Sequence, residues 1–294
     1  MKFGAIFPQL EMPNDPDAIR EYARGVERMG FDHLGIFDHV LGADPKNRPG
    51  WTRYTHESQF HEPMVTFGYL AAITSKIELE TSIIVLPQRQ TALVAKQAAE
   101  IDFMSRGRLR LGVAIGWNDV EYEGLNEDFH TRGRRIEEQV DVMRALWKDP
   151  VVTYKGKYHT ITEAGINPLP AKRSIPVWMG GSADAVMQRA AKIADGWYPM
   201  GAPDAERKAL VDKFLGYVKD AGRDPQTIGI EARTNVSRGA PDMFRKAATD
   251  WQALGATHIS FSTEGAGFRT TDEHLRALKQ ALDACHGLQE KPQQ

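Results

Sequence analysis

Asp38 and His39 bring a carboxylate and an imidazole together at the end of a predicted strand. Imidazole changes its charge near neutral pH, so a pair of this kind can move a proton during a reaction. Adjacent side chains in extended chain point in different directions, and a structural histidine with satisfied hydrogen bonds is the simpler alternative. We predict that both residues are catalytic, with the structural alternative left open.

The tripeptide Gly180-Gly181-Ser182 follows another apolar run and suggests a ligand-binding turn. Two glycines allow the backbone to approach a ligand closely. Ser182 is predicted to cap a helix whose first free N–H groups favour an anion. This geometry suits a phosphate group, while a tight turn with a serine cap and no ligand fits the same residues equally well.

Two further groups of residues lie within or just after predicted strands. Thr81-Ser82-Ile83 lies inside the third strand, and Gly116-Trp117-Asn118 follows the fourth. Trp117 is able to line an aromatic ligand, although tryptophan more often serves simply in packing.

Several familiar motifs are missing from the sequence. It contains neither a dinucleotide-binding G-x-G-x-x-G nor a Walker loop, and no G-x-S-x-G serine elbow. His56 and His61 are five residues apart, which on a helix separates them by about 140° and prevents them from sharing a metal ion. We therefore predict no metal site.

Short apolar runs alternate with segments of helical period along the whole chain. This alternation predicts the strands and helices that position the candidate site residues. Asn14 is predicted to cap the first helix of the chain. Eight strand–helix pairs favour a closed (β/α)8 TIM barrel, an α/β fold, over an open sheet. The strands are predicted at residues 3–7, 34–37, 76–86, 108–113, 175–179, 196–199, 227–232 and 257–261.

Two insertions and a tail complete the predicted organisation, a single domain over residues 1–287. Residues 40–62, between the second predicted strand and the helix that follows it, are too many for an ordinary connection and suggest a lid or substrate loop. Residues 152–159 suggest a small hairpin before the fifth barrel strand. Residues 288–294 form a polar tail that we expect to be disordered.

Composition excludes several classes of partner. The 294 residues carry 37 Lys and Arg against 39 Asp and Glu, a net charge of −2 that gives no basic field for nucleic acid. No stretch of 18 apolar residues and no signal peptide is present, so we expect a cytoplasmic protein without a membrane partner. Cys285 is the single cysteine and fits a reducing compartment.

Four stretches of the sequence resemble the luciferase-like monooxygenase family, whose members are flavin and deazaflavin barrel enzymes. They are FDHLGIFDH at residues 31–39, TSII at 81–84, SRGRLRLGVAIGW at 105–117 with Glu121 following in step, and PVWMGGS at 176–182 running on to ADGW at 194–197. The similarity extends over nearly the whole chain, from Phe3 to about Leu282, and these four stretches occur in order along it.

The resemblance implies roles for the candidate residues. A flavin-like ring would lie against Ser82-Ile83, where the family often has a non-proline cis peptide and a bulge. Its phosphate tail would lie near the two glycines. His39 would transfer the proton, with Asp38 orienting it or contacting the ring. The implied cofactor-binding residues are Thr81, Ser82, Ile83, Gly116, Trp117, Asn118, Gly180, Gly181 and Ser182.

The resemblance is strongest to the branch that uses the deazaflavin coenzyme F420, which exchanges a hydride with a small organic substrate. Sugar-phosphate dehydrogenases of that branch have a glutamate where this chain has Trp117, which leaves the proton donor of such a reaction unassigned. One alternative is an FMN-dependent monooxygenase that uses O2 and a partner flavin reductase. Another is a flavin-binding barrel without turnover. A homodimer is expected, because dimers are common in the family.

The resemblance also suggests what the long loop of residues 40–62 binds. Its basic and aromatic side chains suit closure over a polyanionic coenzyme tail or an aromatic substrate, while solvated loop charges are the simpler alternative. These side chains are Lys46, Arg48, Trp51, Arg53, Tyr54 and His56.

Overall fold

Eight parallel strands close into a barrel in the computed structural model, which describes residues 1–236 and 239–288. The strands are β1 (Lys2–Ile6), β2 (His33–Ile36), β3 (Glu78–Val85), β4 (Leu109–Ala114), β5 (Val152–Lys155), β6 (Thr160–Ala164), β7 (Val177–Gly180), β8 (Gly196–Tyr198), β9 (Gly229–Asn235) and β10 (His258–Ser262). The barrel order is β1-β10-β9-β8-β7-β4-β3-β2, and β5 and β6 form a separate antiparallel hairpin. Each predicted barrel strand overlaps an observed one, so the TIM-barrel prediction is confirmed.

Helices cover the outside of the barrel, with α4 as a short addition to the repeating pattern. They are α1 (Pro16–Met29), α2 (Pro63–Ile73), α3 (Thr91–Ser105), α4 (Asp119–Gly124), α5 (Arg132–Lys148), α6 (Asp184–Ile193), α7 (Ala205–Asp220), α8 (Pro241–Ala253) and α9 (Thr271–Ala284). The apolar face of each long helix packs on the strands, as its 3.6-residue period requires. None of these helices, within the described ranges, has both the length and the apolar character needed to cross a membrane.

The long helix α5 illustrates how the outer layer is held. Its predicted stripe of Ile136, Val140, Met143 and Trp147 is buried. The indole Nε1 of Trp147 donates to the carbonyl of Ala95 on α3 at 2.9 Å, so the largest side chain of the stripe has its polar atom satisfied.

Two helix starts differ from the prediction. The carboxylate of Asp15 accepts the N–H of Asp17 at 3.0 Å, so Asp15 rather than Asn14 caps α1. Helix α6 follows Ala183, because the turn through the two glycines continues in extended backbone to that residue. Ser182 therefore does not cap α6, and the sequence prediction was wrong at this point.

The predicted insertions are present. The β5–β6 hairpin lies before β7, and residues 40–62 connect β2 to α2 with one strand-like bridge between Ala43 and Thr55. Of the predicted polar tail, residues 289–294 lie outside the described residues.

The interior of the barrel is charged rather than purely apolar. Arg110 is 2% exposed, and its guanidinium binds Glu231 at 2.6 Å, Glu80 at 3.1 Å and Glu78 at 2.6 Å. The Nε2 atom of His33 lies 3.0 Å from Glu231. Burial raises the pKa of Glu80 to about 7, and Arg110 acts in the opposite direction. One guanidinium therefore makes it possible for two carboxyl groups to share the core.

Replacing Arg110 with Met should destabilise the fold strongly. Removing one partner from a buried ion pair leaves the other charge uncompensated, which costs about 3–5 kcal/mol. Urea unfolding at pH 7 measures this loss. The matched control is Glu78→Gln, which removes the most exposed partner of the same guanidinium and should cost less than about 1 kcal/mol. Equal unfolding midpoints for Arg110→Met and wild type would contradict the assignment.

Candidate active site

A cavity of about 430 Å³ lies at the carboxyl ends of the barrel strands, which is where TIM-barrel active sites occur. Strand ends, the long loop and α6 all contribute to its wall. The lining residues are Phe37, Asp38, His39, Arg53, Tyr54, Ser82, Ile83, Val85, Ala114, Ile115, Gly116, Trp117, Gly180, Gly181, Ser182, Ala183, Val186, Tyr198, Met200 and Arg233. The structure therefore brings most of the predicted site residues together.

His39 is paired with Glu121, the carboxylate at the start of α4. Its Nδ1 lies 3.2 Å from Oε2 of Glu121, and Oε1 of the same carboxylate accepts the backbone N–H groups of Val40 and Leu41. Burial raises the pKa of Glu121, but the hydrogen bonds from His39 and the backbone outweigh burial and lower it. An ionised carboxylate only accepts hydrogen bonds, so Nδ1 of His39 donates and Nε2 is left for proton exchange.

Aromatic rings enclose the His39 imidazole. The ring centroids of Tyr54 and Phe60 each lie 4.8 Å from that of His39, and Trp117 lies 5.8 Å away. Trp51 packs against Trp117 at 5.6 Å. The long loop therefore covers His39 with rings that limit the access of water.

Asp38 does not orient His39. Its Oδ1 accepts from Arg89 at 2.8 Å, its Oδ2 accepts the N–H of Val85 at 2.9 Å, and Arg89 also binds Glu62 at 2.7 Å. Burial raises the pKa of Asp38, and the Arg89 guanidinium acts against that rise. Asp38 lines the cavity but ties β2 to the segment after β3, while Glu121 takes the orienting position.

The bulge in β3 has the geometry that the resemblance implies. The Ser82-Ile83 peptide is cis, and the register between β3 and β4 shifts between Thr81 and Ile84. Ser82 and Ile83 line the cavity. Thr81 does not, because its hydroxyl turns away and donates to the carbonyl of Gly112 at 2.7 Å.

The turn after β7 lines the cavity with backbone and one hydroxyl. Gly181 has φ 123°, a conformation that favours glycine, and its carbonyl accepts from Nε1 of Trp197 at 2.8 Å. The Oγ atom of Ser182 is buried and has no hydrogen-bond partner among the described residues. A bound ligand would supply the missing hydrogen-bond partner of this buried hydroxyl, which lies beside backbone that lines the cavity.

Asn118 has a structural role. Its Oδ1 accepts the N–H of Val120 at 3.2 Å, capping α4, and its Nδ2 donates to the carbonyl of Leu41 at 3.3 Å. Among the predicted residues of this loop, Gly116 and Trp117 line the cavity and Asn118 does not.

Two charged residues of the site, Arg89 and Arg233, belong to none of the motifs that the sequence shows. Arg89 comes one turn after β3, and Arg233 lies on β9, where it donates to Oγ of Ser82 at 2.7 Å. Strand β9 stands four positions from β3 in either direction around the barrel, so this contact crosses the barrel mouth. No spacing in the sequence indicates such a contact.

Glu264, after β10, does not line the cavity but acts on Tyr54, which does. Its Oε1 accepts the N–H of Leu10 at 3.1 Å, and its charge raises the pKa of Tyr54. Burial raises the pKa of Glu264 itself to about 7, the Leu10 N–H lowers it, and Glu11 adds to the rise.

Replacing Glu264 with Gln should remove a pH dependence of stability. The raised pKa means that the folded chain holds this proton up to about pH 7, whereas the unfolded chain loses it near 4.5. The stabilisation is complete below pH 4.5 and disappears as the pH rises through 7. Glu264→Gln should match wild type at pH 4.5 and exceed it by about 1–3 kcal/mol at pH 8.

Urea unfolding at both pH values measures this difference. Glu57→Gln, a change at an exposed carboxylate of the long loop, is the control and should follow wild type at both pH values. Parallel curves for Glu264→Gln and wild type would refute the effect.

Comparison with known proteins gives consistent matches. A sequence model of the family described as luciferase-like monooxygenase matches residues 1–290. The uncharacterized protein Rv0940c of Mycobacterium tuberculosis is 29% identical over 207 residues, covering 68% of this chain and 71% of that protein. The FMNH(2)-dependent dimethylsulfone monooxygenase of Pseudomonas fluorescens is 30% identical over 218 residues, covering 71% of this chain and 55% of that protein.

The fold also matches a solved structure along its whole length. An F420-dependent secondary alcohol dehydrogenase, solved in complex with an F420-acetone adduct, superposes with a TM-score of 0.79. The match covers 97% of this chain and 99% of the other, at 20% sequence identity.

Proposed function

Because the chain belongs to the luciferase-like monooxygenase family, we propose that it is an F420-dependent oxidoreductase that transfers a hydride between coenzyme F420 and a small organic substrate. The observation that carries this proposal is the His39–Glu121 pair at the cavity wall. Hydride transfer to or from an oxygen-bearing carbon requires a proton to move as well, and this pair is built to move one.

The residues present fit a planar ring with an anionic tail. Apolar side chains such as Ile83, Val85 and Val186 form walls, and the glycine turn leaves backbone accessible. The unpartnered Oγ of Ser182 lies on the same turn. We propose that the ring lies against Ser82-Ile83 and the tail lies along Gly180-Gly181-Ser182. A bound deazaflavin would supply the site that accepts or donates the hydride.

Two residues of the chain, His39 and Glu121, carry out the proton transfer that accompanies hydride transfer. Nε2 of His39 takes the proton from a substrate hydroxyl as the hydride leaves, or returns it in the reverse direction. Glu121 stabilises the imidazolium that results, since its carboxylate is held ionised. Tyr54, Phe60 and Trp117 keep water away from this exchange.

Two relatives support different cofactors. The secondary alcohol dehydrogenase, with its F420-acetone adduct, supports the deazaflavin proposal through the shared fold. The dimethylsulfone monooxygenase supports a second candidate, an FMN-dependent monooxygenase that uses O2 and a partner flavin reductase. The His39–Glu121 pair favours the first, because hydride exchange with an alcohol or ketone depends on a matched proton transfer.

The cofactor test is a fluorescence titration of the purified protein with oxidised F420 and, separately, with FMN. We expect saturable binding of F420 and none of FMN at the same concentrations. Binding of FMN alone would replace the proposal with the monooxygenase. Binding of F420 without hydride exchange across a panel of alcohols and enones would indicate a non-catalytic binding barrel.

His39→Ala should abolish turnover while the protein retains its cofactor. General acid–base groups contribute about 10²–10⁴-fold to the rate, so kcat should fall by that factor. Steady-state kinetics together with the fluorescence titration measure both properties. His56→Ala, at an exposed histidine of the long loop that does not line the cavity, is the control. Full activity in His39→Ala would rule out its role in proton transfer.

A further inference from the structure

Two arginines, Arg53 and Arg233, line the cavity that also contains His39. The carboxylate found among the described lining residues is Asp38, which is already neutralised by Arg89. Neither Arg53 nor Arg233 is therefore paired with a carboxylate of the described cavity lining, and both guanidinium groups are available to a ligand.

Arg233 forms part of the cavity floor with one donor unused. Its Nη2 donates to the carbonyl and hydroxyl oxygens of Ser82, and its guanidinium lies 4.6 Å from the ring centroid of Phe37. Its Nε is buried without a hydrogen-bond partner among the described residues. Glu80 and Glu231 act on its charge from the barrel interior but lie beyond ion-pair distance. A ligand acceptor is needed to satisfy this donor.

Arg53 approaches the same region from the long loop. Its guanidinium lies 4.9 Å from the ring centroid of Trp117, and the described residues offer it no carboxylate within ion-pair distance. Burial raises the pKa of Tyr54 and Glu264 adds to the rise, while Arg233 and Arg53 both oppose it. Both positive charges therefore act at Tyr54, whose ring packs against His39.

We propose that the substrate is a small organic acid whose carboxylate is bound by Arg233 and Arg53, with its reacting carbon beside His39. This inference rests on the proposed function, in which the cofactor's anionic tail occupies the glycine turn and leaves the two arginines to the substrate. Guanidinium binds carboxylate with charge-assisted hydrogen bonds and is the side chain best matched to that group. The rings of Tyr54 and Phe60 bound the rest of the molecule.

The test compares acids with their uncharged amides. Isothermal titration uses benzoate and benzamide, phenylacetate and phenylacetamide, and 3-hydroxybutyrate and 3-hydroxybutyramide. The protein is loaded with whichever cofactor binds in the fluorescence titration, and used as purified where neither does. At least one acid should bind about tenfold or more tightly than its amide, as hydrogen bonds to charged groups predict. Amides that bind as well as the acids, or no binding by any acid, would overturn the proposal.

Variants assign the preference to the two arginines. Arg233→Met should bring the acid-to-amide ratio close to one, and Arg233→Lys should restore part of it. Arg53→Gln should reduce the ratio and leave cofactor affinity within about threefold of wild type, since the loop arginine serves the substrate. Arg48→Gln is the matched control, because Arg48 lies in the same loop over Trp51 and does not line the cavity.

Each outcome has a separate meaning. If Arg233→Met does not fold, as circular dichroism would show, Arg53→Gln decides the question on its own. A loss of cofactor affinity in Arg53→Gln with an unchanged acid preference would assign this arginine to the coenzyme tail and refute the proposal. A wild-type protein that binds neither cofactor but still prefers acids would remove the proposed function and leave the anion site.

Discussion

The Arg110 guanidinium in the middle of the barrel is the interaction on which the other charged groups depend. Glu80 and Glu231 are both buried inside the barrel, and Arg110 binds each of them, with His33 as a second partner of Glu231. Those carboxyl groups in turn favour the positive charge of Arg233, which stands above them. Arg233 then reaches across the barrel mouth to Ser82. The charged groups of the barrel core therefore act on Arg233, which forms part of the cavity floor.

Two carboxylates, Asp38 just after β2 and Glu121 on α4, illustrate how environment separates similar groups. Asp38 is bound by a guanidinium and a backbone N–H, so its charge is used to join segments. Glu121 is held ionised by backbone N–H groups and the His39 imidazole, so its charge acts on a group that can exchange a proton. The difference arises from which donors surround each carboxylate and not from the residue types.

The sequence predicts the fold well because hydrophobic period and strand–helix alternation are local properties. The same is true of the glycine turn after β7, which lines the cavity as expected. The prediction that Ser182 caps α6 was wrong, because a serine beside two glycines fits the capping pattern even where the turn runs one residue further. The sequence did not indicate Glu121 as the partner of His39, because the two residues lie 82 positions apart along the chain. Arg233 shares no local pattern with Ser82, so only the closed barrel reveals their contact.

The loop of residues 40–62 connects these elements and contributes Arg53 and Tyr54 to the cavity lining. At its beginning, the N–H groups of Val40 and Leu41 bind Glu121 and so fix the group that orients His39. At its end, Glu62 binds Arg89, which holds Asp38. Between these two anchors the loop presents Arg53 and aromatic rings to the cavity. Both ends of the loop are therefore held by charged hydrogen bonds, and the rings of Tyr54 and Phe60 between them pack against His39. In the proposed reaction, the end of β2 and α4 supply the proton-transfer pair, and Arg53 of the loop binds the carboxylate of the substrate.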